Sequence, residues 1–340
     1  MFKWILNPLY AILKYFLSPK IAITCNLEAD MSRNSTLVQI TENIYYLNSL
    51  ALSSRTLPAV SGIYIIIRDE ITLVESSIKR IASRAIRAIE SLGFPREAIT
   101  RLIITHIHLD HAGAAGWLVQ QLPWLKVYVQ EKGARHLINP DRLIQSAADV
   151  YGSVEEVFRI HGEFVAVPEK NVIPVSNLSI PEKNGHTLQL FSAPGHAPPP
   201  LCVYDDQSKG IFSGEAAGHY YPYDGMVYPA GAPPSFNLQD SFNTLKLMDK
   251  LNSQYLFFSQ FGAAKNPKKI ISKAWQQLSQ FDELIQKMRS EGKSEEEMIQ
   301  TLRESTGLST DAKRSDIRSQ NTFLTTLWGF LRYSQKKNSF

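Results

Sequence analysis

Apolar residues come in short, β-branched runs over most of this chain and in helical stripes towards its end. Residues 37–47 alternate loosely and contain Ile44-Tyr45-Tyr46-Leu47, which reads as a strand. Gly62 to Ile67 and Ile71 to Glu75 are two further runs around the turn Arg68-Asp69-Glu70, so they predict a hairpin. A helix is expected from about 78 to 92, stopped by Gly93 and Pro95. Arg101-Leu102-Ile103-Ile104-Thr105 has the composition of a buried strand, and the small residues 112–116 then open a helical pattern. Val127-Tyr128-Val129 predicts another strand, and 132–138 a helix ended by Asn139-Pro140. The runs 188–191 and 201–204 flank a later loop. Paired strands first, then interleaved helices, then more strands predict an α/β protein: an αβ/βα sandwich of two sheets with helices outside.

From Asn266-Pro267 onwards the pattern turns charged and helical. Residues 268–290 read as one amphipathic helix closed by Gly292, and Ser294 with Glu297 forms a capping box for another that Gly307 closes. Phe323, Leu324, Leu327, Trp328 and Leu331 make an apolar stripe near the terminus. The expected organisation is an N-terminal apolar helix and linker (1–35), the sandwich (36–265) and a helical cap (266–340). Such a cap can wall a substrate pocket or join two copies in a homodimer. At the front, Asn7-Pro8 reads as an N-cap and first helical position for a helix over 8–18, about half the length of a membrane span and interrupted by Lys14. Three readings stay open for it: a helix docked on the domain, an interfacial anchor giving residues 1–18 peripheral membrane contact, or an atypical export signal.

Composition narrows the class. With 340 residues, 44% apolar and 20% charged, the chain is an ordinary globular protein with room for a large core. Its net charge of +4 is too slight for a nucleic-acid groove, so no nucleic-acid partner is expected. Cys25 and Cys202 are far apart and in no metal-binding spacing, which fits a reducing, cytoplasmic setting, with membrane association left to the first helix.

The chemistry concentrates in Thr105-His106-Ile107-His108-Leu109-Asp110-His111. Three imidazoles and a carboxylate in six residues suit zinc, iron or manganese. His106 and His108 share a direction if the chain is still extended, because strand side chains alternate. Asp110 and His111 then fall where the chain turns and can face a second ion. A ligand loop between a strand and a helix lies at the carboxyl end of the strand, where open α/β folds place their sites.

This run resembles the His-x-His-x-Asp-His signature of the metallo-β-lactamase-fold hydrolase superfamily, and the resemblance extends over about residues 40–265. It implies a four-layer αβ/βα sandwich and two divalent ions, zinc first and iron or manganese as alternatives. Ala193-Pro194-Gly195-His196 resembles the next motif, which implies that His196 joins His106 and His108 at the first ion. Gly210 to Gly218 resembles the element where relatives usually carry a bridging Asp; here the acid is Glu215, one methylene longer. Gln260 stands where the family usually has its last histidine, which implies a weak second site held by Asp110, His111 and Glu215, with His219 as a candidate replacement. Glu75 takes the place of an Asp that often supports a ligand histidine. Tyr220, Tyr221 and Tyr223 just beyond Glu215 are the expected substrate wall, with a packed loop as the equal alternative. His136, His161 and His186 have no ligand-like partners and read as structural.

The resemblance implies hydrolysis by a metal-bound hydroxide, with Asp110 catalytic. It is closest to the group of hydroxyacylglutathione hydrolases, lactonases and a quinolone-signal thioesterase. A small-molecule ester, thioester or lactone is therefore the first expectation. A phosphodiester or nucleic-acid hydrolase of the same fold is the runner-up. The third reading is a degenerate metal-binding sensor or effector, which the Glu215 and Gln260 departures keep open.

Overall fold

Pairing along the first sheet follows the order of the chain. The computed structural model describes residues 37–49, 61–197, 200–221, 226–260, 262–306 and 317–337. Strands β1 (Leu37–Gln39), β2 (Ile44–Leu47), β3 (Ile63–Ile67), β4 (Ile71–Val74), β5 (Ile99–Ile103), β6 (Lys126–Gln130) and β7 (Val172–Val175) lie side by side in sequence order. The pairs from β1 to β4 are antiparallel and those from β4 to β7 parallel. Parallel neighbours need a crossover, and helices supply it. Helix α1 (Lys79–Ser91) joins β4 to β5; α2 (Leu109–Ala112) and α3 (Ala115–Gln121) join β5 to β6. Helices α4 (Glu131–Ile138), α5 (Asp141–Tyr151) and α6 (Val154–His161) lead towards β7.

The second sheet has the order β15-β14-β11-β10-β9-β8. Its strands are β8 (Asn177–Pro181), β9 (Thr187–Ser192), β10 (Leu201–Asp205), β11 (Gly210–Gly214), β14 (Tyr255–Phe258) and β15 (Gly262–Lys265). A small ribbon, β12 (His219–Tyr221) with β13 (Met226–Tyr228), leaves it after β11. Helix α7 (Leu238–Lys250) precedes β14, and α8 (Pro267–Ser290), α9 (Glu295–Thr306) and α10 (Ile317–Lys337) follow β15.

Period-two alternation explains the layers. In β3, Ile63, Ile65 and Ile67 bury against Ile81, Ala82, Ala85 and Ile89 of α1. Tyr64 and Ile66 face the other sheet, in one cluster with Leu190, Val203, Phe212 and Phe257. There Phe212 stacks on Phe257 at 4.4 Å between ring centroids, and Tyr64 meets Phe212 edge-on at 5.2 Å. On the outer face of the second sheet, Cys202, Ile211, Leu256 and Phe258 are covered by Leu245, Ile270, Ala274, Leu278, Phe281 and Phe330. The expected αβ/βα sandwich is present, with the C-terminal helices on one outer face. The capping box also forms: Ser294 N–H donates to Glu297 Oε2 at 2.7 Å, and Glu297 N–H to Ser294 Oγ at 3.2 Å.

The two ends of the sandwich differ. At one end Leu201 N–H donates to Thr105 O at 2.6 Å, and the phenols of Tyr64 and Tyr46 donate to the carbonyls of Phe258 and Ser259. These bonds tie the sheets together beside the histidine run. At the other end an ion network, buried at Arg68, Asp205 and Glu182, spans them. Arg68 pairs with Asp205 at 2.7 Å and with Glu182, while Arg101 pairs with Glu182 and Glu70.

Some elements depart from expectation. Strand β5 ends at Ile103, not Thr105, although Ile104 N–H still donates to Tyr128 O at 2.9 Å. Helix α5, not expected from the sequence, packs Leu143, Ile144, Ala147, Ala148 and Tyr151 against the first core. Strand β8 is a polar edge strand ending in proline. The expected helix at 8–18 lies outside the described residues, as does the loop 198–199. Among the described residues no helix is long and apolar enough to cross a membrane.

Candidate metal centre

Backbone bonds fix the ligand loop before any side chain acts. His108 caps α2, and Ala112 N–H donates to its carbonyl at 2.8 Å. Asp110 and His111 therefore sit on a single helical turn. Ser61 donates through N–H and Oγ to Asp110 O, and Ser76 and Ser77 donate their N–H groups to His111 O at 2.9 and 3.0 Å. This grip requires an unusual backbone: Glu75 has φ 72° and Ser77 φ 54°. Left-handed conformations of non-glycine residues cost about 1–2 kcal/mol each. Strain of this kind concentrates at functional sites.

Glu75 explains the strain. It is fully buried, and one carboxylate oxygen gathers three groups: the Thr105 hydroxyl, the Ser259 hydroxyl at 2.6 Å, and His111 Nδ1 at 3.0 Å. An ionised carboxylate only accepts, so His111 carries its proton on Nδ1 and presents Nε2. Thr105 gives its hydrogen to Glu75 and so accepts from His106 Nδ1 at 3.1 Å, which turns the His106 Nε2 lone pair towards His108 Nδ1 at 3.0 Å. One buried acid thus sets two tautomers.

The first cluster comprises His106, His108, His196 and Glu215, each with a ligand atom within 4.8 Å of the others. His106 Nε2 lies 3.0 Å from His108 Nδ1. Gly195 carries His196 into place at φ +136°, where a Cβ would stand 2.4 Å from Ser241 Oγ. His196 Nδ1–H donates to Ala230 O at 2.8 Å and turns Nε2 inward, 2.8 Å from Glu215 Oε2. Glu215 follows Gly214, whose φ of +57° and close approach to Thr105 leave no room for a side chain. A register shift between β11 and β14 at that point redirects the chain.

The second cluster comprises Asp110, His111 and Glu215. His111 Nε2 lies 3.2 Å from Asp110 Oδ2 and 3.5 Å from Glu215 Oε1. Gln260 Nε2 donates to Glu215 Oε1 at 3.0 Å and lies 3.4 Å from Asp110 Oδ2. His219 Nδ1 is 3.5 Å from Glu215 Oε1 and joins neither cluster. Glu215 is therefore shared, with Oε2 towards the first cluster and Oε1 towards the second.

Electrostatics prepare these groups as ligands. Burial, then the charges of its histidine neighbours, holds His106 well below 6.5; burial and His196 bring His108 down to about 4. Both are neutral near pH 7, as ligation needs. Burial alone would raise Glu215 and Asp110, but imidazoles override it. His219 and His196 hold Glu215 well below the usual carboxylate range, and His111 lowers Asp110. His111 is the exception: burial opposes its charge, yet Asp110 and Glu75 raise it well above 6.5, so an arriving ion has to displace a proton from it. A divalent ion fits the donor set. The buried Nε2 atoms of His111 and His196 have no hydrogen-bond partner among the described residues, and both stand against carboxylate oxygens. Neutral imidazole with carboxylate suits zinc, iron or manganese.

Of the expected substrate wall, only Tyr220 has a described side chain. Tyr220 stacks on Phe258 at 5.2 Å in the outer apolar layer, so its ring packs the loop. Only the backbone of Tyr221 is described, in β12, and Tyr223 lies outside the described residues. Thr105 and Ser259 were given no role by the sequence, though each directly precedes a residue of the centre, His106 and Gln260. His161, read as structural, is 5% exposed, and neither ring nitrogen has a hydrogen-bond partner among the described residues. It meets Tyr151 edge-on at 5.2 Å, and burial lowers its pKa against the pull of Asp110. Its helix holds no motif that would have flagged it.

Known proteins share the family and the fold. The profile of the metallo-beta-lactamase superfamily matches residues 56–260. The uncharacterized protein YobT of Bacillus subtilis (strain 168) is 25% identical over 154 residues, 44% of this chain and 58% of YobT, so the match spans less than two thirds of that relative. An archaeal metallo-beta-lactamase superfamily protein from Sulfolobus tokodaii has the same fold at TM-score 0.57 and 21% identity, over 81% of this chain and 94% of that one. A metallo-beta-lactamase family protein from Thermus thermophilus gives TM-score 0.63 at 18% identity, over 88% of this chain and 95% of that one.

Proposed function

Because the chain belongs to the metallo-β-lactamase superfamily, whose members are mostly metallo-hydrolases, we propose that it hydrolyses a small-molecule ester, thioester or lactone. The observation that carries this reading is the convergence of His106, His108, His196 and Glu215 from three separate chain segments on one buried point. A divalent ion bound there supplies Lewis acidity, activating a water and polarising the carbonyl under attack.

The protein groups do the rest. Glu75 and Ala230 O hold the imidazoles in ligating tautomers, so little reorganises when an ion arrives. Asp110 is the most accessible carboxylate of the centre, with a side chain 19% exposed against 7% for Glu215 and 0% for Glu75. Its lowered pKa keeps it an acceptor near neutrality. It can therefore accept a hydrogen bond from an incoming water and orient it, although its lowered pKa makes it a weak base. Zinc is the first choice of ion, and iron or manganese suits the same donors.

The test is a panel of p-nitrophenyl esters, acyl thioesters, lactones and phosphodiesters with metal-loaded protein and a His106→Ala control. Turnover of the carboxylic substrates that the control loses supports the reading. Activity that survives in the control, or confined to phosphodiesters, overturns it. Less than about half an ion per chain after metal-replete growth also rejects a metal-dependent hydrolase.

A further inference from the structure

We infer that the two ion positions of this centre are unequal by construction: one ion is resident on His106, His108, His196 and Glu215, while the Gln260 carboxamide reduces the second position to an exchangeable one. The inference rests on the metal-dependent reading above and concerns only the chain's own donors.

The two clusters differ in what they offer a cation. The first has three imidazoles and one carboxylate oxygen, four protein donors to which a water can add as a fifth. The second has Asp110, His111 and the other oxygen of the same Glu215, three donors in all. The fourth direction is taken by Gln260, itself only 7% exposed. Its amide nitrogen faces Glu215 Oε1 at 3.0 Å and Asp110 Oδ2 at 3.4 Å. A carboxamide nitrogen has hydrogens to give and no lone pair to bind a metal. With an ion in place the amide can offer its oxygen only by giving up both of these hydrogen bonds, and that oxygen is a weaker metal ligand than imidazole. Those two carboxylate oxygens are the ones a second ion needs. Gln260 therefore competes for them, whereas among the described residues no carboxamide holds the ligand atoms of the first cluster. His219 does not restore the set, because it reaches Glu215 alone.

The experiment measures zinc in the full chain by plasma mass spectrometry after zinc-replete growth and dialysis against a weak chelator, then titrates zinc back by calorimetry. The parent protein is expected to retain about one ion and to take a second only as zinc is restored. Gln260→Glu keeps the shape while replacing the donor by a ligand oxygen, and Gln260→His supplies an imidazole. Each is expected to retain about two ions through the same dialysis. Two retained ions in the parent, or a titration with two equal sites, would overturn the inference and leave the hydrolase reading intact. So would variants that are folded by circular dichroism and still retain only one. A parent that retains none rejects the hydrolase reading, and the inference with it.

Discussion

Glu75 Oε1 lies 3.0 Å from His111 Nδ1, and the same oxygen also accepts hydrogens from Thr105 and Ser259. A single acid at the end of β4 thereby joins the ligand loop of the first sheet to the residue preceding Gln260 in the second.

Glu75→Gln keeps the side-chain volume but weakens the acceptor that sets the tautomers of His111 and, through Thr105, His106. Loss of such a supporting group typically costs about 10–100-fold in metal affinity. Competition against a coloured chelator measures it. An affinity equal to the parent's would show that the tautomers are set elsewhere.

Gly195→Ala forces a Cβ to within 2.4 Å of Ser241 Oγ and 2.6 Å of its Cα, at φ +136°. Strained backbone of this kind costs about 1–3 kcal/mol. The turn must shift, and His196 shifts with it. The expected result is a lower melting temperature together with loss of bound ion. A drop in melting temperature with full metal content would separate the turn from the ligand.

Arg68→Met tests the far end of the sandwich. Arg68 and Asp205 are 4% and 0% exposed, so removing the cation leaves a buried carboxylate with its charge uncompensated. Breaking such a pair costs about 3–5 kcal/mol. Urea unfolding should show that loss while metal content stays at the parent level. Parent-like stability would mean that Arg101 takes over the neutralisation of Glu182 and leaves Asp205 content.

Alkaline pH tests two buried neutral groups away from the centre. Burial, and then the charge of Glu75, pushes the Cys202 thiol above 9.0; burial, and then Tyr46, pushes Tyr64 above 10.0. Raised folded values mean that the unfolded chain releases these protons first. Their contribution is complete below pH 9.0 and is lost as pH rises beyond it, at up to about 1.4 kcal/mol per pH unit for each group. Melting temperature should be flat in this respect up to about pH 9 and fall above it. Cys202→Ala should flatten the first part of that fall, and an unchanged slope would assign it to other groups.

How much was legible in the chain follows from where each determinant is written. His106, His108, Asp110 and His111 are neighbours in sequence, so ligand density and strand-turn spacing showed them directly. Tyr64 and Ile65 fell on opposite faces as alternation requires. Long-range facts stayed hidden. That Gln260 gives hydrogens to Asp110 and Glu215 depends on β14 lying beside β11, with about half the chain between the outer partners. Helix α5 carries its signal in Leu143, Ile144, Ala147, Ala148 and Tyr151, whereas His161 came into view only with the helix that follows it. Tyr220 sat where a substrate wall was expected, and the stacking of its ring on Phe258 is a contact between strands that no local pattern records.

The sequential order of the first sheet bears on how the protein is made. Strands β1 to β7 pair with neighbours that have already left the ribosome, so Glu75 and the whole His106–His111 loop can be in place while the second sheet is still unsynthesised. His196 and Glu215 arrive later, and the pairing of β11 with β14 waits for Phe258. An emerging polypeptide therefore carries only half of a binding site. Cation capture thus waits for β11 and β14 to emerge, and a product cut short before β14 would keep its histidines while lacking the framework that closes them round an ion.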